Sequence, residues 1–87
     1  MKPIIKKPSK KEIKDAESWP IWEKEISEFP WEYDTNETCY FLKGDIIMTN
    51  EDGQKFCFGQ GDYVIIPKGM KCIWNIQKDV KKHYKLG

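Results

Sequence analysis

One histidine, His83, stands among the 87 residues. A metal centre built from several imidazoles is therefore out of reach of this chain. Charge of one sign is lacking too, since 15 Lys plus Arg against 14 Asp plus Glu leave a net charge of +1. A nucleic-acid surface needs a concentrated excess of positive charge, so that class of partner is excluded. No apolar run approaches the roughly 20 residues of a membrane-spanning helix, and no membrane partner is expected. The first residues, MKPIIKKPSKKEIKD, carry no apolar core of a secretory signal. Cys39, Cys57 and Cys72 are odd in number and lack C-x-x-C spacing, so they read as reduced thiols in a cytoplasmic protein. In that compartment the glycosylation-like triplet Asn36-Glu37-Thr38 carries no meaning.

Aromatic residues are plentiful: four Trp, four Tyr and four Phe in a chain that is 39% apolar. One domain of this length has little core to spare, and the aromatics must supply much of it. Residues 1–18 read as an N-terminal arm and a short helix. Two prolines and several lysines make the first eight residues an extended, mobile arm. Ser9 followed by Glu12 is a capping-box pattern that predicts a helix over residues 10–17. From Trp19 onward short β-branched and aromatic runs alternate with Lys43-Gly44, Asp52-Gly53, Gln60-Gly61 and Lys68-Gly69. That rhythm indicates one all-β domain over residues 19–87, an antiparallel barrel or jelly roll. Asp52-Gly53 predicts a hairpin closed by a type I′ turn.

Two short motifs resemble the cupin superfamily. Gly61, five residues, Pro67-Lys68-Gly69 and two further residues lead to Cys72, where the second cupin motif has histidine. Glu37, six residues and Gly44 match the second half of the first motif, and its two histidine positions fall on Trp31 and Tyr33. The stretch WPIWEKEISEFPWEYDTNETCYFLKG and the terminal KKHYKL resemble, more narrowly, the small single-domain cupins related to the (S)-ureidoglycine aminohydrolase cupin domain. The resemblance covers roughly residues 19–86. It implies a cupin barrel and aminohydrolase, isomerase or lyase chemistry on a small nitrogen- or oxygen-rich substrate. The metal of the related aminohydrolase is held by residues that include histidines, which have no counterpart here.

Strand alternation supplies a second line of inference, because residues two apart share a face. If Glu37 points inward, so do Cys39 and Phe41, and Trp31 and Tyr33 if the register holds. Cys72 inward brings Trp74 and Ile76 with it, and the last strand turns Val80, Lys82, Tyr84 and Leu86 to one side. The expected ligand-binding residues are Trp31, Tyr33, Glu37, Cys39, Cys72, Trp74 and Tyr84, with Phe41 and Ile76 deeper. His83 is expected on the surface with its neighbouring lysines, Cys57 in a structural role, and Trp19 and Trp22 on the barrel exterior. The outer face of Thr38, Tyr40 and Leu42 needs a cover, either the N-terminal segment or a second subunit.

Glu37 and Cys72 are the candidate catalytic residues. A carboxylate in an apolar barrel must gain a hydrogen-bond partner or a raised pKa, and Tyr33 is a candidate donor. Glu37 is then structural, or a ligand-binding or acid-base group. Three readings of Cys72 stand open. It is a packed small hydrophobe, a ligand of a divalent metal in a mixed set with Glu37, Cys39, Tyr33 and His83, or a nucleophile with His83 as base. No cofactor is the expectation, with a weakly held divalent metal as the alternative. The function expected is binding of a small polar metabolite in an aromatic-lined pocket. The alternative is an enzyme with Glu37 as acid-base residue, and a third reading is an interaction protein that forms a homodimer.

Overall fold

The computed structural model describes all residues, 1–87. Helix α1 spans Lys10–Ala16 and begins at the expected cap. Ser9 Oγ accepts the Glu12 N–H at 3.2 Å, and the Glu12 carboxylate accepts the Ser9 N–H at 2.9 Å. Seven strands make up the rest: β1 Ile4–Lys6, β2 Ile21–Lys24, β3 Ser27–Glu32, β4 Glu37–Asn50, β5 Lys55–Gly59, β6 Tyr63–Ile66 and β7 Lys71–Leu86. All pairings are antiparallel. The all-β barrel with a short helical lead-in is thus the architecture found.

Two strands are much longer than the sequence rhythm suggests. The runs on either side of Lys43-Gly44 join into β4, and those around Lys78-Asp79 join into β7. Each serves both faces of the barrel. The first half of β4 and the second half of β7 pair with β6 and β2, and β1 extends that face by pairing with β6. Their other halves pair with β5 and β3. Between Phe41 and Ile46 the β4–β7 register slips three times, which bends the pair from one face to the other.

The slips also reset the alternation. In β4 the buried residues are Glu37, Cys39 and Phe41 before the bend, and Ile46, Met48 and Asn50 after it. Without the bulges every side chain beyond Gly44 would point the wrong way. Gly44 sits at φ +128°, and a Cβ there would lie 2.9 Å from Val80 Cγ2. Both constraints call for glycine. The core thereby gathers Phe41, Ile46, Met48, Phe58, Trp74 and Ile76 with their neighbours into one cluster.

Three local expectations change. The N-terminal arm is extended, but it is a strand of the sheet, because Ile4–Lys6 satisfy the otherwise open edge of β6. The Asn50–Gly53 turn is not type I′, since that type needs positive φ at two residues and only Gly53 has it, at +80°. Instead Gly53 N–H donates to the Asn50 carbonyl, and Asn50 Oδ1 accepts from the Asp52 and Gln54 amides, so the asparagine side chain organises the loop. Cys57 faces outward and is exposed, not structural.

The outer face of Tyr40 is covered from within the chain. Helix α1 contacts β4 and β7, Ala16 is fully buried, and Trp19 lies 6.3 Å from Tyr63, ring centre to ring centre. His83 points to this face as expected. It is buried there, however, with Nδ1 2.9 Å from the Trp19 carbonyl. Gly44→Ala is expected to lower stability by about 1–3 kcal/mol through strain at positive φ and contact with Val80. Urea unfolding measures this, with Gly53→Ala as the comparison for strain without crowding.

Candidate functional site

Glu37 opens β4, and its side chain points into the barrel. Burying a carboxylate among Phe, Trp and Cys side chains costs several kcal/mol unless a partner comes with it. The partner is Lys82. Its Nζ lies 2.7 Å from Glu37 Oε2, and the two side chains are 6% and 11% exposed. Lys82 is paired in register with Phe41, four residues along β4 from Glu37. That separation is about 13 Å of strand, so both side chains must extend toward each other over Cys39. Cys39 Sγ sits between them, donating to Glu37 Oε2 at 3.0 Å and accepting from Lys82 Nζ at 3.4 Å.

Aromatic faces flank the ammonium. Nζ is 4.9 Å from the ring centres of both Trp22 and Trp74 and 5.8 Å from that of Phe41. Ring quadrupoles attract a desolvated cation at such distances. Burial pulls the lysine pKa down, but the Cys39 sulfur and the Glu37 carboxylate outweigh it and leave the ammonium above its ordinary value. The site therefore holds a fixed, neutralised charge pair.

Above the pair opens a pocket of about 470 Å³. Trp22, Trp31, Trp74 and Tyr84 form its aromatic walls, and Glu37, Lys82 and Tyr33 its polar floor. Both protein bonds to Glu37 go to Oε2. No buried side-chain nitrogen or oxygen lacks a partner, so Oε1 is open to the cavity that Glu37 lines. Tyr33 is buried, and its oxygen accepts the Trp74 Nε1–H at 3.1 Å, which leaves its own proton to donate. Burial and the nearby Glu37 charge push the phenol well above its ordinary range, so it stays protonated.

The expected residues divide accordingly. Trp31, Tyr33, Glu37, Trp74 and Tyr84 line the pocket, with Trp31 51% exposed at its mouth. Cys39 does not line it, lying fully buried beneath the ion pair. Cys72 does not either. Its thiol points toward the Trp31 carbonyl at 3.7 Å, within the core. Glu37 and Cys72 both face inward, yet the carboxylate's partner is Lys82 rather than the sulfur. Trp22 belongs to the pocket and not to the exterior. Lys82 was legible in principle, since the alternation that turns Val80 and Tyr84 inward turns it inward too.

The nucleophile reading of Cys72 fails on geometry. Burial pushes its thiol up to about 11, and the only imidazole lies on the outer face with Trp19. The divalent ion implied by the cupin resemblance does not fit these residues. Nowhere do three His, Cys, Asp or Glu side chains converge as a ligand set. Glu37 already carries an ammonium, which would repel a second cation.

Two outcomes follow. Lys82→Met leaves a buried carboxylate unpaired and is expected to cost about 3–5 kcal/mol by denaturant unfolding, whereas a loss below about 1 kcal/mol would show the pair to be energetically idle. Cys39, Cys72, Tyr33 and Lys82 all keep their protons beyond the ordinary values of 9.0, 9.0, 10.0 and 10.5. Above those values the unfolded chain binds fewer protons than the fold, so rising pH favours unfolding. The Tm should hold level at neutral pH, begin to fall near 9.0 and keep falling through about 11. A level Tm across that window contradicts the assignment.

Comparison with known proteins places this geometry. No functionally curated protein matches the chain. A DUF861 family protein from Thermotoga maritima is 50% identical over 99% of this chain and 100% of its own, with a TM-score of 0.95. The EutQ protein of Clostridium difficile is 23% identical, with 76% of this chain aligned to 52% of that one at a TM-score of 0.68. A DUF861 family protein of unknown function from Pseudomonas syringae pv. tomato is 22% identical, with 77% of this chain aligned to 29% of that one at 0.70. These last two show a shared fold, and this chain spans about half the length of the EutQ protein. Residues 12–84 match the profile of the EutQ-like cupin domain, and the chain belongs to that cupin family.

Proposed function

We propose that the protein is a cytoplasmic binding module for a small, cyclic, polar molecule held between the tryptophan walls above the Lys82–Glu37 pair. The observation that carries this reading is the open Oε1 of Glu37 at the floor of an aromatic pocket. A volume of about 470 Å³ lies within the range of small-molecule sites. Apolar walls with a few converging polar groups are the usual composition of such sites. The three free cysteines suit a reducing compartment.

The same pair supports a second reading, an acid-base enzyme of the aminohydrolase, isomerase or lyase type. Glu37 Oε1 is placed to take a proton from a ligand, and the Lys82 ammonium beside it stabilises the carboxylate between turnovers. The narrower resemblance to ureidoglycine aminohydrolase draws on a metal, for which this pocket lacks the ligand set. The binding reading needs no such group and is preferred.

Fluorescence of the pocket tryptophans, titrated with a library of small acids, amides and sugars, tests the proposal. A saturable change that Glu37→Gln weakens about tenfold or more supports it, since a hydrogen bond to a charged acceptor is worth about 1.5–3 kcal/mol. Trp31→Ala should weaken the same ligand while changing stability by no more than about 0.5 kcal/mol, because the indole is already half in water. Affinity untouched by both substitutions would remove the pocket as the site.

A further inference from the structure

The floor of the pocket presents one acceptor and one donor side by side, with opposite charges that cancel. Lys82 Nζ has three protons. Glu37 Oε2 takes one, Cys39 Sγ takes another weakly, and the third has no protein acceptor. Glu37 Oε1 is likewise open, and it belongs to the carboxylate whose other oxygen is 2.7 Å from Nζ. Tyr33 adds a second donor.

We infer that the ligand is neutral and carries a hydrogen-bond donor next to an acceptor on a ring, an inference that rests on the binding site proposed above. A carboxylate seated on this floor would meet Glu37, and an ammonium would meet Lys82. In either case a net charge is left buried against walls of indole and phenol, at a cost the pair itself avoids. The two carboxylates nearer the opening, Glu32 and Asp34, are exposed. Glu32 lies 3.6 Å from Lys71 Nζ, so water and that lysine screen the mouth and the floor decides. A vicinal diol of a pyranose and the N–H/C=O edge of a cyclic amide both present the required pair. Either ring also offers a face to Trp22 and Trp31.

Matched neutral and charged probes test this on the intact protein, read by NMR shifts of the tryptophan indole N–H groups. D-glucose is compared with D-glucuronate and D-glucosamine, and uracil with orotate. In the wild type the neutral member of a set should bind about tenfold tighter or more than its charged partners, a difference of about 1.4 kcal/mol. The set that responds identifies the diol or the amide edge. Glu37→Gln leaves the floor net positive, so glucuronate or orotate should gain on its neutral parent, a reversal that a merely structural role for Glu37 would not produce. If that variant does not fold, the wild-type ratios decide. A charged probe binding as tightly as its neutral parent overturns neutrality while leaving the pocket as a binding site. No response to any of the five overturns the inference as well, and a hit from another compound in the wider titration would still keep the pocket.

Discussion

The arrangement of the interior depends on one buried ion pair. Lys82 and Glu37 come from adjacent strands, four residues apart along the β4–β7 ladder, and meet over Cys39 at 2.7 Å. Their register is not free to drift. A slip of one residue along β7 would carry the ammonium to the outer face and strand the carboxylate among aromatic rings. The pair is no economical way to stabilise a small domain, because apolar residues of similar volume often do as well or better. Its location, beneath an opening walled by tryptophans, accounts for it better than stability does.

The pocket in turn depends on the bend in the two long strands. The slips between Phe41 and Ile46 return alternate residues to the interior after the turn from one face to the other. Gly44 makes that bend compatible with the close approach of Val80. Stacking of Phe29 on Trp74, with centroids 6.2 Å apart, ties β3 to the pocket wall on β7. The Trp22–Trp74 edge contact at 6.1 Å ties β2 to it from the other side. Strands β2 and β3 thus converge on one indole of β7, whose Nε1–H donates to the Tyr33 hydroxyl. The ring positions of Trp22 and Trp74 are thus set by packing within the barrel, and that side of the cavity is fixed by the fold itself.

Much of this was legible in the residues, for identifiable physical reasons. Ser9 and Glu12 announce a helix start because a capping box is a local interaction between groups three residues apart. Glu37, Tyr33 and Trp74 were found by period-two alternation, which holds wherever a strand runs straight. The failures lie where a contact is long-range or a face is reassigned. Lys82 shares its strand face with Val80 and Tyr84, but a lysine reads as solvent-facing until its partner 45 residues away is known. Trp22 is assigned by β2 pairing with β7, which no local pattern announces. Cys39 and Cys72 lie in the core and not in the pocket for a subtler reason, since inward direction alone does not separate core from pocket. Cys39 is capped by the ion pair, and Cys72 packs behind Trp31 and Tyr33.

Position 72 and Lys82 together explain why the residues here do not fit the metal that the resemblance implies. The Cys72 thiol points to the Trp31 carbonyl within the core and not to Glu37, and the motif positions at Trp31 and Tyr33 bring an indole and a phenol whose oxygen accepts the Trp74 Nε1–H. The positive charge that the glutamate still requires comes instead on a four-carbon stem, fixed to the chain and caged by Trp22 and Trp74. A divalent ion keeps coordination positions for a ligand and exchanges with solvent. A tethered ammonium has no open coordination position and only one unfilled proton, so it can orient a ligand by a single hydrogen bond but cannot polarise it as a Lewis acid. In the binding function proposed above, selectivity then rests on the donor and acceptor at the floor and on the indole faces around them.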